Sequence, residues 1–484
     1  MSRPVERVEL ATGFTISRIV TGLWQIADME RGGRSVDLDR AASAMEPYVR
    51  AGLTTFDMAD HYGSAEDVAG RFVAGRGRNA VECLTKWVPK PGPVTRQDVR
   101  AAVQRSLQRL AADRIDLLQF HAWSYADPRW LDCLFWLQEL KGEGLIRHLG
   151  LTNFDTAHLR VALSSGIEIV SNQVCFSLLD RRPAARMIPF CRERGVKLLC
   201  YGTLAGGFLT ESWLGRAEPD WKRLDTWPLM KYGRFIKAAG GWERFQRLLS
   251  AAAAVARRHG VPVANVASRY VLEQPAVAAV IVGARLGERE HIADTLRVFE
   301  FSLDDRDRGE LEAASAGLAP IPGDCGDEYR KPPFLTAAGD LSHHVDSFPP
   351  PYEVQPGPGG RTHAQSGTPW EGFAGYSRAV RVGDRIFVSG TTAAHGDRLI
   401  GGNDPVAQAH FVIDKIEGAL QSLGARLEHV VRTRVFVSDI AHWEPVARAH
   451  GERFAEVRPA NTLVEARLVG PEYLLEMEAE AVVG

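Results

Sequence analysis

The chain has 484 residues, 45% of them hydrophobic and 24% charged, with a formal net charge of −2. That length points to two domains with an ordinary buried core. The near-neutral charge gives no basic field for nucleic acid or an anionic membrane, no apolar run reaches the ~18 residues of a membrane span, and MSRPVERVEL holds no signal-peptide core, so a cytoplasmic protein acting on small molecules is expected.

The first ~300 residues alternate β-rich and helical runs. Strands are expected at 16–24, 54–58, 81–87, 115–121, 146–151, 168–173, 196–201 and 278–282. Helices are expected between them at 38–51, 65–74, 96–110, 128–141, 156–164, 183–194, 241–259 and 288–296. Asp155 is placed to cap the fifth helix, and Gly195 and Gly260 stand where helices end. Eight such units in about 300 residues match a TIM (β/α)8 barrel. A doubly wound open sheet is the competing fold, but no G-x-G-x-x-G follows the first strand, which runs into GLWQIAD. The connection from Gly202 to about Gly240 is long enough to be a functional lid on the C-terminal face of the barrel. A last helix is expected near 301–317 with Asp304 at its cap, closing a first domain at 1–317.

Composition then shifts to Pro, Gly, Ser and His, and residues 318–368 read as a linker. From 369 to 484 the pattern restarts as a small α+β unit. It has a hairpin at 379–382 and 385–389, helices at 405–423 and 440–454, and strands at 430–437, 462–468 and 473–483. Six cysteines stand at 83, 133, 175, 191, 200 and 325 without a C-x-x-C pair and read as small buried hydrophobes. The pair His343-His344 lacks a third ligand in sequence, so no metal site is expected.

The chemistry is concentrated in TTFDMADHYGSAE and the two strands after it. Asp57, Lys86 and His121 end consecutive strands, and Tyr62 follows Asp57 in the next loop. In a barrel all four meet on the C-terminal face. A phenol has a pKa near ~10, too high for efficient acid catalysis at neutral pH, and a nearby ammonium lowers it. Lys86 is that ammonium, Asp57 keeps it charged and in place, and His121 orients a carbonyl by donating to its oxygen. Such a set protonates an alkoxide as it forms, and a cofactor must bring the hydride.

These motifs, with LTKW, LQFHAW, GLTNF, NQVCFSLLDRRP, YGTLAGGFLT and IVGAR in that order, resemble the aldo-keto reductases over about residues 6–317. The resemblance implies a barrel that binds NADP(H), with NAD(H) as the alternative. It implies Tyr62 as general acid, Asp57 and Lys86 as its tuning pair and His121 as the group that orients substrate. Thr152, Asn153 and Gln173 match positions that hold the nicotinamide carboxamide, and Tyr201 the ring that stacks on it. Gly22 and Trp24 fall at the first strand end, and Gly202, Thr203, Leu204 and Gly206 in the loop near the pyrophosphate. Gly283, Ala284, Arg285, Arg289, Asp294 and Thr295 fall where the 2′-phosphate and adenine are met, Arg285 or Arg289 being the phosphate clamp. Trp24, Trp87 and Trp123 are expected to line an apolar substrate pocket for an aldehyde, ketone or sugar.

YSRAVRVGDRIFVSGTTA, RPANTLVEARL and LLEMEAEAVV resemble the Rid (YjgF) family over 370–484, which implies a Rid-like (chorismate mutase-like) fold and a homotrimer with clefts between subunits. Active members hold a substrate carboxylate with an arginine in P-A-R; this chain reads Pro459-Ala460-Asn461, and an amide offers no charged fork. Glu476, Ser389 and Tyr376 are the cleft candidates. The domain is therefore expected to serve oligomerisation or ligand binding. A redox-sensing protein with little turnover, and a reductase fused to an imine hydrolase, are the alternatives.

Overall fold

The computed structural model describes residues 4–31, 33, 35–224, 226–288, 290–332, 334 and 348–484. A hairpin of β1 (Arg7–Ala11) and β2 (Phe14–Ser17) precedes the barrel and packs against its interior through Leu10, Phe14 and Ile16. The first predicted strand is therefore two elements. The chain breaks at Arg18, whose guanidinium is spent on the carbonyls of Leu272 and Ala278.

Eight parallel strands close the barrel: β3 (Ile19–Gly22), β4 (Thr55–Asp57), β5 (Glu82–Trp87), β6 (Ile115–Phe120), β7 (Ile146–Thr152), β8 (Ile169–Cys175), β9 (Lys197–Tyr201) and β10 (Val277–Gly283). β10 pairs with β3, so no edge remains. The strands are buried on both faces, as parallel strands covered by helices must be.

The helices follow their caps. Thr95 and Asp98 form a capping box on Arg96–Arg109, and Asp304 and Asp307 another on Asp305–Ala316. Asp155 caps Thr156–Ser164 as expected. The helix expected at 38–51 is two, Leu38–Ser43 and Glu46–Arg50, because Pro47 has no N–H to continue a ladder and starts the second. Pro262 likewise precedes a helix, Val263–Leu272, that the sequence reading left out. The long lid connection is more ordered than expected. Phe208, Trp213, Trp221, Trp242 and Phe245 pack edge and tilt around one another, and Trp227–Ala238 is helical with Thr226 as its cap.

The C-terminal domain is one seven-stranded sheet with two long helices, Pro405–Ser422 and Trp443–Phe454, and a short one, Pro369–Ala374. Its strands are β11 (Glu353–Pro356), β12 (Arg361–Gln365), β13 (Ala379–Val382), β14 (Arg385–Thr391), β17 (Val430–Val437), β18 (Ala460–Glu465) and β19 (Leu475–Val482), in the order β11-β12-β13-β14-β19-β17-β18. A separate ribbon joins β15 (Ala394–His395) and β16 (Arg398–Leu399). Two parts of the expected linker 318–368 are corrected. Residues 353–365 form β11 and β12, which extend the sheet by pairing with β13, and Asp327–Tyr329 is a 3-10 turn on the barrel. Proline density hid both: Pro356 occupies an exposed edge strand, where a missing N–H costs little.

The domains meet helix to helix. Pro405–Ser422 lies along Thr156–Ser164, and a side chain at Gly418 would overlap the carbonyl of Ala126. His158 of the barrel is buried there between two carboxylates. Its Nδ1 donates to Asp155 and its Nε2 to Asp414 of the second domain at 2.9 Å. Two donated bonds require the imidazolium. Burial alone would lower its pKa, but Asp155 and Asp414 outweigh it and hold it above the ordinary histidine value. Arg453 completes the cluster by donating to Asp414 at 2.5 Å.

All six cysteines are buried and free. Among the described residues no group of three metal-ligating side chains occurs, and no helix is long and apolar enough to cross a membrane. His343 and His344 lie outside the described residues.

Candidate active site

A cavity of about 570 Å³ opens on the C-terminal face of the barrel. Asp57, Tyr62, Lys86 and His121 all line it, brought together by the ends of β4, β5 and β6. Lys86 donates to Asp57 Oδ2 at 2.6 Å and to the Met58 carbonyl at 2.7 Å, and its ammonium lies 4.8 Å from the centre of the Tyr62 ring. Burial lowers the Lys86 pKa against the opposing pull of Asp57. The ring of Tyr62 is set edge-on by Trp24 and His61.

Asp57 does more than hold Lys86. Its other oxygen accepts from Gln119 at 3.0 Å and from Gln173 at 2.8 Å. The carboxylate thus ties the lysine to the two glutamines in one buried network. Gln119 was missed in sequence. It sits two residues before His121, so the period of 2 along the strand turns both side chains the same way.

His121 lines the cavity beside these groups. Its Nδ1 lies 3.2 Å from the Thr152 carbonyl, which can only accept, so Nδ1 carries the proton. Burial, and then the Arg330 guanidinium, hold its pKa well below the ordinary histidine value. Nε2 is buried and without a hydrogen-bond partner among the described residues.

Of the expected cofactor residues, Gly22, Trp24, Thr152, Asn153, Gln173, Tyr201, Gly202, Thr203, Leu204, Gly206, Gly283 and Arg285 line the cavity. Ala284, Asp294 and Thr295 do not, and Arg289 lies outside the described residues. Asn153 adopts a left-handed backbone (φ 59°) and accepts from the Tyr201 hydroxyl at 2.7 Å. A primary amide needs a donor and an acceptor, and Asn153 with Gln173 supplies both kinds beside the Tyr201 ring. These residues fit a nicotinamide. Trp24 and Trp123 line the cavity; Trp87 does not, being buried against Phe120 at 5.6 Å. Sequence reasoning also missed Lys231 and Tyr329, which line the cavity from the lid helix and from the segment after the barrel.

Residues 18–316 match the Aldo/keto reductase family and residues 369–483 the Endoribonuclease L-PSP family. The chain belongs to the aldo/keto reductase family. It is an oxidoreductase of carbonyl and alcohol groups with a YjgF-like α+β domain appended. It is 26% identical to the NADH-specific methylglyoxal reductase of Escherichia coli, an alignment covering 61% of this chain and 94% of the relative. The glycerol dehydrogenase AKR11B4 from Gluconobacter oxydans shares the barrel fold at 22% identity and a TM-score of 0.54, over 67% of this chain and 97% of that one. The second domain is similar to the uncharacterized protein SCO2049 of Streptomyces coelicolor, 41% identical over 24% of this chain and 88% of that protein.

In that second domain Asn461, which follows Pro459 and Ala460, donates to Thr433 Oγ1 at 2.9 Å, and Thr433 bonds His450. Its amide is committed to the neighbouring strand. Burial raises the Glu476 pKa, with Arg378 opposing. Arg378 is spent on the Gly390 carbonyl and on Thr391.

Proposed function

We propose that the protein reduces a carbonyl compound to an alcohol with NADP(H), Tyr62 being the proton donor. The observation that carries this reading is the buried Lys86 ammonium, fixed by Asp57 and lying against the Tyr62 ring in an open cavity. Bound reduced nicotinamide supplies the hydride at the carbonyl carbon. Lys86 favours the phenolate that Tyr62 becomes on giving up its proton, and Asp57 keeps Lys86 charged despite its burial. Thr152, Asn153 and Gln173 orient the carboxamide, and Tyr201 offers it a flat face. Trp24 and Trp123 exclude water from the reacting oxygen. Arg285, a cation that lines the cavity just after Gly283, supports NADP(H) over NAD(H), although the E. coli relative is named as NADH-specific.

Titration with NADPH and with NADH, followed by tryptophan fluorescence, tests the cofactor assignment. Tight NADPH binding with NADH at least tenfold weaker is expected, since a phosphate clamp contributes a charge-assisted bond. Equal affinities would move the assignment to NAD(H). Tyr62→Phe should lose at least about a hundredfold in kcat while its NADPH affinity stays within about twofold. A variant that still turns over well would remove Tyr62 from its role.

The appended domain serves assembly of the chain into a homotrimer. Its helices face the barrel, while the other side of its sheet exposes Phe387, Val431 and Val464. Light scattering should give three times the chain mass, and a monomer mass at micromolar concentration would reject the assembly.

A further inference from the structure

The segment after the last barrel helix lies outside both matched families, yet it is fastened to the barrel mouth. Asp324 accepts from the Thr156 N–H at 3.2 Å and from Arg186 at 3.0 Å. Glu328 is fully buried 2.9 Å from Arg182. Between these anchors Gly326 is left-handed (φ 77°), and a Cβ there would stand 1.9 Å from the Asn153 carbonyl oxygen. So close an approach of two backbones delivers the next side chain but three, Arg330, to the ends of two barrel strands.

The pairing of β6 with β7 runs as far as Phe120 and Leu151, so His121 and Asn153 lie past the ladder. Arg330 bridges the two chains there. Its Nε and Nη2 donate to the Ala122 carbonyl at 2.9 and 2.6 Å, and its Nη1 donates to the Asn153 carbonyl at 2.7 Å. The guanidinium lies over the ring of Tyr125 at 4.3 Å, which fixes its plane. Asn153 is thereby held from three sides in its left-handed conformation (φ 59°). Its N–H donates to the Gln173 carbonyl at 2.8 Å, its side-chain oxygen accepts from Tyr201 at 2.7 Å, and its carbonyl accepts from Arg330. A planar fork can serve two carbonyls at once, and a bond from a charged donor is stronger than one between neutral groups.

We propose that Arg330 is a positioning residue for the reduction: by bridging the Ala122 and Asn153 carbonyls it fixes the direction in which the Asn153 amide meets the nicotinamide carboxamide. The proposal rests on Asn153 facing that carboxamide. The segment between the domains then supplies a part of the cofactor site that the barrel itself does not carry.

The test measures binding of NADPH and NADH, and of ADP-ribose with and without a 2′-phosphate, to the full chain and to its Arg330→Lys and Arg330→Met variants. Each ADP-ribose lacks the nicotinamide of its cofactor, so the difference within a pair reads the carboxamide site. The parent should bind the preferred cofactor more tightly than the matching ADP-ribose. Both variants should weaken that cofactor at least about tenfold and the ADP-ribose less than about twofold, as the loss of a charge-assisted bond confined to one end of the ligand implies. Arg330→Lys keeps the charge, so its loss is assigned to the fork. Gly326→Ala keeps Arg330 but drives a Cβ at the Asn153 carbonyl; it should show the same selective loss, and it covers the case where variants at Arg330 fail to fold. Equal weakening of both ligands, or of neither, would overturn the proposal and leave the cofactor reading intact. A parent that binds ADP-ribose as tightly as cofactor, or binds neither cofactor, would sink both.

Discussion

Two buried clusters of charge in this molecule use the same chemistry to different ends. At the barrel mouth Lys86 is held by Asp57; at the domain junction His158 is held by Asp155 and Asp414. Each pairs a buried cation with carboxylates at 2.6–2.9 Å. They differ in what stands beside them. Lys86 faces a cavity that it shares with His121, whose Nε2 has no hydrogen-bond partner among the described residues, whereas His158 is stacked on Tyr125 with both ring nitrogens satisfied. The first cluster keeps an open side on which a reaction can proceed. The second is closed, and its interactions go into holding two domains together.

The sharpest way to break the comparison is to remove a carboxylate from the closed cluster. Asp414→Asn leaves Arg453 and His158 facing a neutral amide in a dry site. Breaking a buried pair costs about 3 kcal/mol, because the remaining charge stays buried. Denaturant unfolding should show that loss, while NADPH affinity stays within about twofold of the parent. A stability change below about 0.5 kcal/mol would mean that the junction is not held by this cluster. Loss of cofactor affinity of more than about tenfold would mean that the two clusters are not separable. Asp155 gives that result a plausible route, since it caps the helix that begins three residues after Asn153.

How much of this was legible in the sequence follows from the same contrast. The barrel, and the meeting of Asp57, Tyr62, Lys86 and His121 at one cavity, could be read because strand ends are local signals, and Asp57, Lys86 and His121 each end an apolar run. The contact of His121 Nδ1 with the Thr152 carbonyl could not be read, because that carbonyl belongs to the neighbouring strand. Lys231 and Tyr329 were hidden for a related reason: one sits in a segment taken for a loop, the other in a stretch taken for a linker. Tyr329 sits in a three-residue turn with no periodicity, whereas the helix of Lys231 buries Tyr232, Phe235 and Ile236 at helical spacing, a signal hidden by the length of the connection around it. His158 shows a helix-capping pattern with Asp155, but its second partner is 256 residues away. Contacts across that distance have no local signature. The edge strand β11 and its neighbour β12 were lost to the prolines and glycines in and between them, which in most contexts signal a turn.

A smaller effect separates the two clusters by pH. The His158 pKa is raised in the folded protein, so its contribution is fully present below the ordinary histidine value of ~6.5 and is lost as pH rises through the raised value. Asp414 and Asp155 are held below the usual carboxylate range, so theirs is present above about 4 and is lost as pH falls through the depressed values. Arg453 keeps its charge throughout, and burial with the nearby Arg453 holds His410 neutral down to about 3. The junction should therefore be tightest between about pH 4 and 6.5 and should loosen on the alkaline side. Hydrogen exchange in the helices Thr156–Ser164 and Pro405–Ser422 reads this directly, with protection falling as pH rises after correction for intrinsic exchange. In Asp414→Asn the imidazolium loses one of its two carboxylates, so the loosening should move to lower pH. A profile that is flat in the parent, or unmoved in the variant, would show that His158 is neutral in the fold and that the closed cluster owes its hold to Arg453 and Asp414 alone.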